Sequence, residues 1–469
     1  MTQIELVITF LPLAIWVGLL TARGGFWWID QVLEKKGSGE WGVGSRDGEW
    51  GVGRDSLLTS PTSSTSPTSP TPYSLLPTPS ICAVIPARNE ADLLPVTMRS
   101  LLLQDYPGSL VVFLVDDHST DGTAEVAKRT AEALNKSSQL HVINAEPLPP
   151  GWSGKLWAIE QGIRKASVLK PDYFLLTDAD IAHDSSNLNR LVTKAVQQNL
   201  DLASVMVRLR CESFWEKLLI PAFVFFFQKL YPFNWVNNPH KATAAAAGGC
   251  ILIRRQALER IGGISTIRQA LIDDCALAGA VKKGDGGDKG DGGDKGDGGD
   301  KGESSPLSPL SPLSPLSPLS PLSPLSPTPY SPLPTPSIWL GLSSLTHSLR
   351  PYDSLQTIWD MVARTAFTQL NYSPLLLLGT LQGMTLVYLV SPLGLIWGLV
   401  TGNWLVAGLG LLGWLLMALA YFPTVRFYRC SPLYAFCLPG IAFLYTLMTF
   451  DSAVRYWQGK GGAWKGRVY

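Results

Sequence analysis

Between residues 81 and 209 short apolar runs alternate with stretches of helical spacing. ICAVIP (81–86), LVVFLVDD (110–117), HVINA (141–145), YFLLTD (173–178) and LASVMVRL (202–209) hold near-continuous apolar runs and read as buried strands. The segments between them predict helices over 90–104, over 121–135 opened by Asp121, from Gly154, and from about Asn187. Strand and helix in alternation imply an α/β fold with a largely parallel, doubly wound sheet. In such sheets ligands sit beyond the carboxyl ends of the strands.

Both ends of the chain follow another pattern. Residues 6–22, LVITFLPLAIWVGLLTA, lack charge and approach the length that spans hydrocarbon, and Arg23, Lys35 and Lys36 follow them. No basic stretch precedes this run and no small-residue cleavage site is clear, so residues 1–25 read as an uncleaved anchor with the next domain in the cytosol. Residues 374–422 are apolar enough for two spans, and Arg426 and Arg429 then return the chain to the positive side. The segment 433–450 is short, contains Pro439 and Gly440, and has basic residues on both sides; a re-entrant or interfacial hairpin keeps both clusters cytosolic. The expected organisation at this end is a membrane region over 373–455 and a basic cytosolic tail over 456–469. A third apolar stretch, 214–236, carries nine aromatic residues and reads equally as an interfacial helix or as core.

Two low-complexity tracts interrupt the pattern. Residues 37–80 contain GEWGVGSRD, GEWGVGRD and a Ser/Thr/Pro run, and residues 283–337 contain three copies of KGDGGD followed by SPL triplets. Neither composition buries enough apolar surface to offset chain ordering, so both are expected to be disordered. SPTPYSLLPTPSI (69–81) and SPTPYSPLPTPSI (326–338) differ at one position, which points to one repeated element inserted twice. Removing the tracts leaves 81–282 joined to 338–372, the length of a single domain ending at 372.

Charge and cysteine content narrow the function. Lys+Arg is 38 against 37 for Asp+Glu, which gives no excess for binding nucleic acid. The six cysteines form no CxxC pair, which argues against zinc and a disulfide framework and fits a reducing compartment.

The acids carry the chemistry. PARNE closes the first strand, VDDHSTDGT the second and TDAD the fourth, so Asp116, Asp117, Asp178 and Asp180 fall along one sheet edge. Crowded carboxylates need compensation, and a hard divalent metal sharing phosphate oxygens supplies it. That points to transfer from a nucleotide-activated donor. Each residue also has a structural reading: Asp121 as a helix cap, Asp117 as a turn former, His183 as a surface residue rather than a third metal ligand, Gly248 and Gly249 as a strand start, and Asp273 and Asp274 as caps of the next helix.

ICAVIPARNEADLLPVTMRSLLLQDYP, VDDHSTDGT, GWSGKLWAIEQG, TDAD and LIDDCALA, in this order, resemble family 2 glycosyltransferases of the GT-A fold. SLRPYDSLQTIWDMVARTAFTQL and the closing WKGR look more narrowly like the hopene-associated subgroup. The resemblance implies that Pro86, Arg88 and Glu90 touch the nucleotide, that Asp117 lies near the uracil of a UDP-sugar, and that Lys155 lies near the donor. It implies that Asp178 and Asp180 form the DxD-type motif, with Asp180 as direct ligand of Mn²⁺ or Mg²⁺. Asp274 matches the general base, while Asp273 stands where the family usually has glutamate. The common QxxRW pattern is absent; VARTAF, with Arg364, occupies its region, and Gly248 and Gly249 join Asp273 and Arg364 as candidate acceptor-region residues. The implied activity is inverting transfer of a sugar to a lipid acceptor at the cytosolic face of a bacterial membrane, with no nucleic-acid partner. A processive polysaccharide synthase and a non-catalytic membrane adaptor are the alternatives; the first normally needs a pore of several spans above QxxRW, which this chain lacks.

Overall fold

The apolar runs become the strands of one eight-stranded sheet. The computed structural model describes residues 2–34, 78–284 and 337–460, with 463–464 and 467–468. The two low-complexity tracts lie outside the described residues except at their edges. In chain order the strands are β1 (Ile81–Ala87), β2 (Leu110–Asp116), β3 (Leu140–Asn144), β4 (Tyr173–Thr177), β5 (Ile181–Ala182), β6 (Leu202–Arg208), β7 (Cys250–Arg254) and β8 (Ile338–Ser348). Their spatial order is β3-β2-β1-β4-β7-β6-β8-β5.

Every residue of β1 and β4 is buried, which is why neither shows polar alternation. The two faces still separate by the period of two. Cys82 and Val84 join the cluster under α4 (Gly154–Ala166), whereas Ile81, Ala83 and Ile85 join the one under α2 (Leu94–Leu102), α3 (Thr123–Ala133) and α5 (Asn187–Gln197).

The sheet is largely parallel as expected: β3, β2, β1 and β4 pair in parallel, as do β6 and β8, and the exceptions are β7 and the two-residue β5. β7 runs antiparallel to both β4 and β6, so the sheet is mixed. CILIR is equally apolar in either direction; the connection decides its polarity. The chain leaves the carboxyl end of β6, passes through α6 (Phe214–Leu230) and α7 (Phe233–Val236), and enters β7 from that same end. Gly248 and Gly249 are thereby delivered to the edge that carries the acids. The short α8 (Arg255–Arg260) follows β7, and α9 (Asp273–Lys283) begins at the two aspartates.

α6 resolves the open reading of 214–236. Ile220 and Val224 pack into the sheet core, while Leu219, Ala222 and Phe225 pack with Met417, Tyr421 and Tyr445 of the apolar helices. It is a helix buried on both sides, which explains its apolar residues all round, and not a helix resting on a surface.

The remaining helices are α1 (Thr2–Ala22) and, after β8, α10 (Leu355–Ala363), α11 (Pro374–Met384), α12 (Val390–Thr401), α13 (Trp404–Phe427) and α14 (Leu438–Trp457). Four helical stretches, Gln3–Ala22, Pro374–Thr401, Trp404–Phe427 and Pro432–Trp457, are long and apolar enough to cross a membrane by length and composition. α12 and α13 pack closely through glycine: a Cβ on Gly410 would lie 2.4 Å from the Leu395 nitrogen. Beyond α1 the chain continues onto the domain, where Leu33 N donates to Leu342 O and Leu342 N to Gln31 O beside β8.

The segment after α13 doubles back. Tyr428 O accepts from Arg208 at the end of β6, whereas Phe436 O accepts from the Trp414 indole in the middle of α13. α14 then returns, and Arg455 pairs with Asp360 of α10 while Ser452 Oγ accepts from Phe367 N. Asp353, just before α10, pairs with Arg210, two residues past Arg208. Arg426 and Arg455 therefore lie at the same end of the helical bundle.

Candidate active site

The loops after β1 and β2 are tied to each other. Asn89 takes the left-handed conformation, φ 52°, that asparagine tolerates better than most residues, and its side-chain oxygen accepts from Thr120 N. Glu90 N donates to Thr123 Oγ1 and Ala91 N to Asp121 Oδ2, while Asp121 Oδ1 accepts from Thr123 N. Asp121 is not the cap its structural reading makes it: Gly122 is the N-cap residue, and Asp121, one position earlier, holds Thr123 and fixes the neighbouring loop. Arg88 donates to Asp117 O, and the Asp117 carboxylate sits 3.1 Å from His118 Nδ1.

Pro86, Lys155, Thr177, Asp178, Gly248, Asp273 and Asp274 line one cleft at the carboxyl end of β4. α4 starts there because Ser153 caps it, accepting from Leu156 N. Its first turn carries Lys155, whose Nζ lies 3.1 Å from Asp178 Oδ1 and 3.1 Å from Asp273 Oδ2. Asp274 accepts from Gly248 N at 2.8 Å and from Cys275 N at 2.7 Å. A Cβ on Gly248 would stand 3.4 Å from Lys155 Nζ and 3.5 Å from Asp274 Oδ2, ordinary contact distances, so the approach does not itself require glycine. Gly249 packs on Val207 and Ile181, which is a structural contact.

Electrostatics separate the acids. Burial, aided by the neighbouring Asp273 charge, pushes Asp274 up to about 6 despite its two amide donors. Burial also raises Asp178, with Asp180 and Asp273 adding to the effect and Lys155 opposing it. Burial disfavours the Lys155 ammonium, but Asp178, Asp273 and Asp274 outweigh it and hold the pKa above the ordinary lysine value.

Asp180 faces a different partner. Its Oδ2 accepts from Ser348 Oγ at 2.7 Å and lies 3.3 Å from Arg350 Nε, and the same guanidinium reaches Glu90 Oε1 at 2.7 Å. Sequence reasoning missed Ser348 and Arg350. Their only signal was their place in the SLRPYD wording, since the β5–β8 pairing that sets Ser348 opposite Ile181 is long-range. His183 is neither a surface residue nor a metal ligand: it is buried, with Nε2 on Thr177 Oγ1 and Nδ1 on the Asn187 amide. Burial drops its pKa to about 4, so it is neutral. Arg364 is exposed at the end of α10 and does not line the cleft. Among the described residues no cluster of three or more His, Cys, Asp or Glu side chains is placed to hold a metal by itself. Asp178 and Asp180 are two hard oxygen donors one residue apart, the first held by Lys155 and the second by Ser348 and Arg350, and so few carboxylates leave a divalent cation positions for phosphate oxygens.

A model of the family described as Glycosyl transferase family 2 matches residues 82–262. An uncharacterized protein of Methanocaldococcus jannaschii is 29% identical over 123 residues, which are 26% of this chain and 44% of that protein. The uncharacterized glycosyltransferase YibD of Escherichia coli (strain K12) is 29% identical over 138 residues, 29% of this chain and 35% of that protein. The 4,4'-diaponeurosporenoate glycosyltransferase of Staphylococcus haemolyticus is 33% identical over 104 residues, 22% of this chain and 25% of that protein. The match thus spans less than half the length of each of these relatives. Among solved structures, the mannosyltransferase PcManGT from Pyrobaculum calidifontis, in complex with GDP-Man and Mn²⁺, aligns over 81% of this chain and 88% of its own at 17% identity and a TM-score of 0.44. Residues 82–262, which supply the parallel half of the mixed sheet and the first of the cleft residues, are thus similar to family 2 glycosyltransferases.

Proposed function

We propose that this protein is a membrane-bound inverting glycosyltransferase that moves a sugar from a nucleotide-diphosphate donor, a UDP-sugar, to a lipid acceptor. The observation that carries this reading is the cleft itself: Asp274, oriented by two backbone amides and raised to about 6, faces Lys155 beside the Asp178 strand end. A carboxylate poised near neutrality suits a general base. Asp274 takes the proton of the acceptor hydroxyl as that oxygen attacks the anomeric carbon, and one displacement inverts the configuration. Lys155 stands on the donor side, where its ammonium stabilises the departing diphosphate. Asp178 and Asp180 would hold Mn²⁺ or Mg²⁺, which when bound neutralises charge on that leaving group. Pro86, Arg88, Glu90 and Asp117 form the nucleotide side, where the cross-tied loops fix their backbone.

The lipid acceptor is supported by the short path from base to apolar helices. Cys275, next to Asp274, meets Tyr231 at the end of α6, and the Tyr231 hydroxyl accepts from Gln369, five residues before α11. A hopanoid-type acceptor is proposed from the wording of 348–370 and the WKGR end. With the cytosolic orientation, protease added to intact right-side-out vesicles leaves 81–372 uncut. The direct test measures nucleoside diphosphate release from a panel of nucleotide sugars with and without membrane lipid extract. Release that depends on one sugar nucleotide and on lipid supports the proposal. Release of long polymer without lipid points to a polysaccharide synthase, and no release with any donor defeats the enzymatic reading.

A further inference from the structure

Arg350 occupies the place where the DxD-type pair most needs a cation. Asp180 and Glu90 have side chains only 10% and 8% exposed, and one guanidinium spans them, with Nε 3.3 Å from Asp180 and a terminal nitrogen 2.7 Å from Glu90. Two nearly buried carboxylates facing each other would repel without it. The backbone that presents Arg350 is fastened on both sides: its own N–H donates to Ser348 Oγ at 3.2 Å, and Tyr352 N donates to the buried Glu216 at 2.8 Å. The side chain, by contrast, is a third exposed, so it can move while its base stays fixed.

We propose that Arg350 is the resident counter-cation of Asp180, and that a divalent cation must displace it from that carboxylate while Glu90 keeps hold of it. The proposal rests on the reading of Asp180 as a metal ligand. It makes Arg350 a positioning residue with two states. In one the guanidinium neutralises Asp180; in the other Asp180 turns to the cation and Arg350 stays on Glu90. The consequence is competition: without nucleotide, Mn²⁺ has to replace an ion pair already made, so the bare cation binds weakly. A donor diphosphate that adds phosphate ligands tips the exchange.

The test titrates Mn²⁺ alone onto the full chain in detergent and follows free Mn²⁺ by electron paramagnetic resonance. Arg350→Gln should bind Mn²⁺ about tenfold or more tighter than the parent, because the competing charge is gone. Arg350→Lys, which retains the charge, should stay near the parent. Asp180→Asn in the Arg350→Gln background should lose the gain. If Arg350→Gln gains nothing while Asp180→Asn still abolishes binding, the counter-cation proposal fails and the metal assignment survives. If the double variant keeps the tighter binding, the Asp180 assignment itself fails. Should Arg350→Gln be unstable with two unpaired acids, its thermal midpoint is read with and without Mn²⁺: a larger rise than in the parent supports the proposal, and an equal or smaller rise overturns it.

Discussion

The parallel half of the sheet and the seam around α6 place their polar side chains by different means. In the parallel half the ties are local: Asn89 meets Thr120 31 positions away, Ala91 meets Asp121 30 away, and Glu90 meets Thr123 33 away. Each joins the ends of two neighbouring strands. In the seam the partners are remote: Arg210 meets Asp353 143 positions away, Arg208 meets Tyr428 220 away, and Tyr445 meets Leu219 226 away. The first region is assembled by its own strands, the second only when the whole chain closes. The proposed mechanism draws on both, since Asp178 and Lys155 belong to the first while Arg350 arrives with the second.

The largest effect is expected where the two regions meet the base. Asp274→Asn preserves size but removes proton acceptance, and it keeps only one oxygen for the two amides, Gly248 N and Cys275 N, that donate to the carboxylate; turnover should fall by about 10² to 10⁴. Nucleotide binding, followed by calorimetry with Mn²⁺ present, should hardly change. Asp180→Ala should lose both binding and turnover, because the donor side then lacks a carboxylate. If both variants turn over like the parent, the reaction is carried out elsewhere.

The seam is tested through Glu216. Its side chain is fully buried, bonds to Arg210 at 2.9 Å, and accepts from the backbone of Glu212, Ser213 and Tyr352. Glu216→Ala leaves three backbone amides without their acceptor, a loss of about 1–3 kcal/mol for each that stays unsatisfied, while Arg210 keeps Glu212 and Asp353. Chemical unfolding of the purified protein measures it. A loss no larger than that of an exposed ion pair would show that the seam is not a cooperative part of the fold.

Acidity gives a third, smaller effect with opposite signs in two assays. Transfer needs ionised Asp274, so below about pH 6 the rate should fall about tenfold per pH unit, and level off above it. Stability moves the other way. The folded pKa lies above the ordinary 3.8, so the fold holds the proton more tightly than the unfolded chain. That contribution is complete below 3.8 and is lost as pH climbs through about 6. Both trends should vanish in Asp274→Asn; if the rate profile persists there, another group is the base.

The sequence showed the first region far better than the second, for a physical reason. YFLLTDAD announces a buried strand ending in charge, and the parallel strands that share its edge line up Asp117 and Asp178 without further information. Lys155 and Asp274 were found only through resemblance, and the 3.1 Å between Lys155 and Asp178 depends on the fold. The direction of β7 was missed because an apolar run carries no polarity. Arg350 was missed because nothing within 100 residues of it mentions Asp180 or Glu90. α6 was ambiguous because a helix with partners on two sides and a helix resting on lipid have the same composition.

The smallest effect tests the seam's geometry without harming it. The Cys211 and Cys430 thiols lie 3.6 Å apart, one just past β6 and the other just past α13. The hydrogen bond from Cys211, with help from Lys217 and Arg208, lowers the Cys430 pKa against the opposing effect of burial, and the lower pKa favours its thiolate. Mild oxidation with a diazenedicarboxamide, which accepts two electrons and two protons, should therefore join the two sulfurs, the Cys430 thiolate attacking the oxidant-activated Cys211 or the reverse. The bond requires each sulfur to move by less than about 1 Å to reach normal disulfide length. Neither thiol lines the cleft, so transfer should stay within about twofold of the reduced protein, while the closed loop raises the midpoint of unfolding. Peptide mass mapping identifies the pair. Cross-linking through Cys437 in place of Cys211 would place the end of α13 away from β6, and would break the contrast between a locally built half and a seam closed by distant partners.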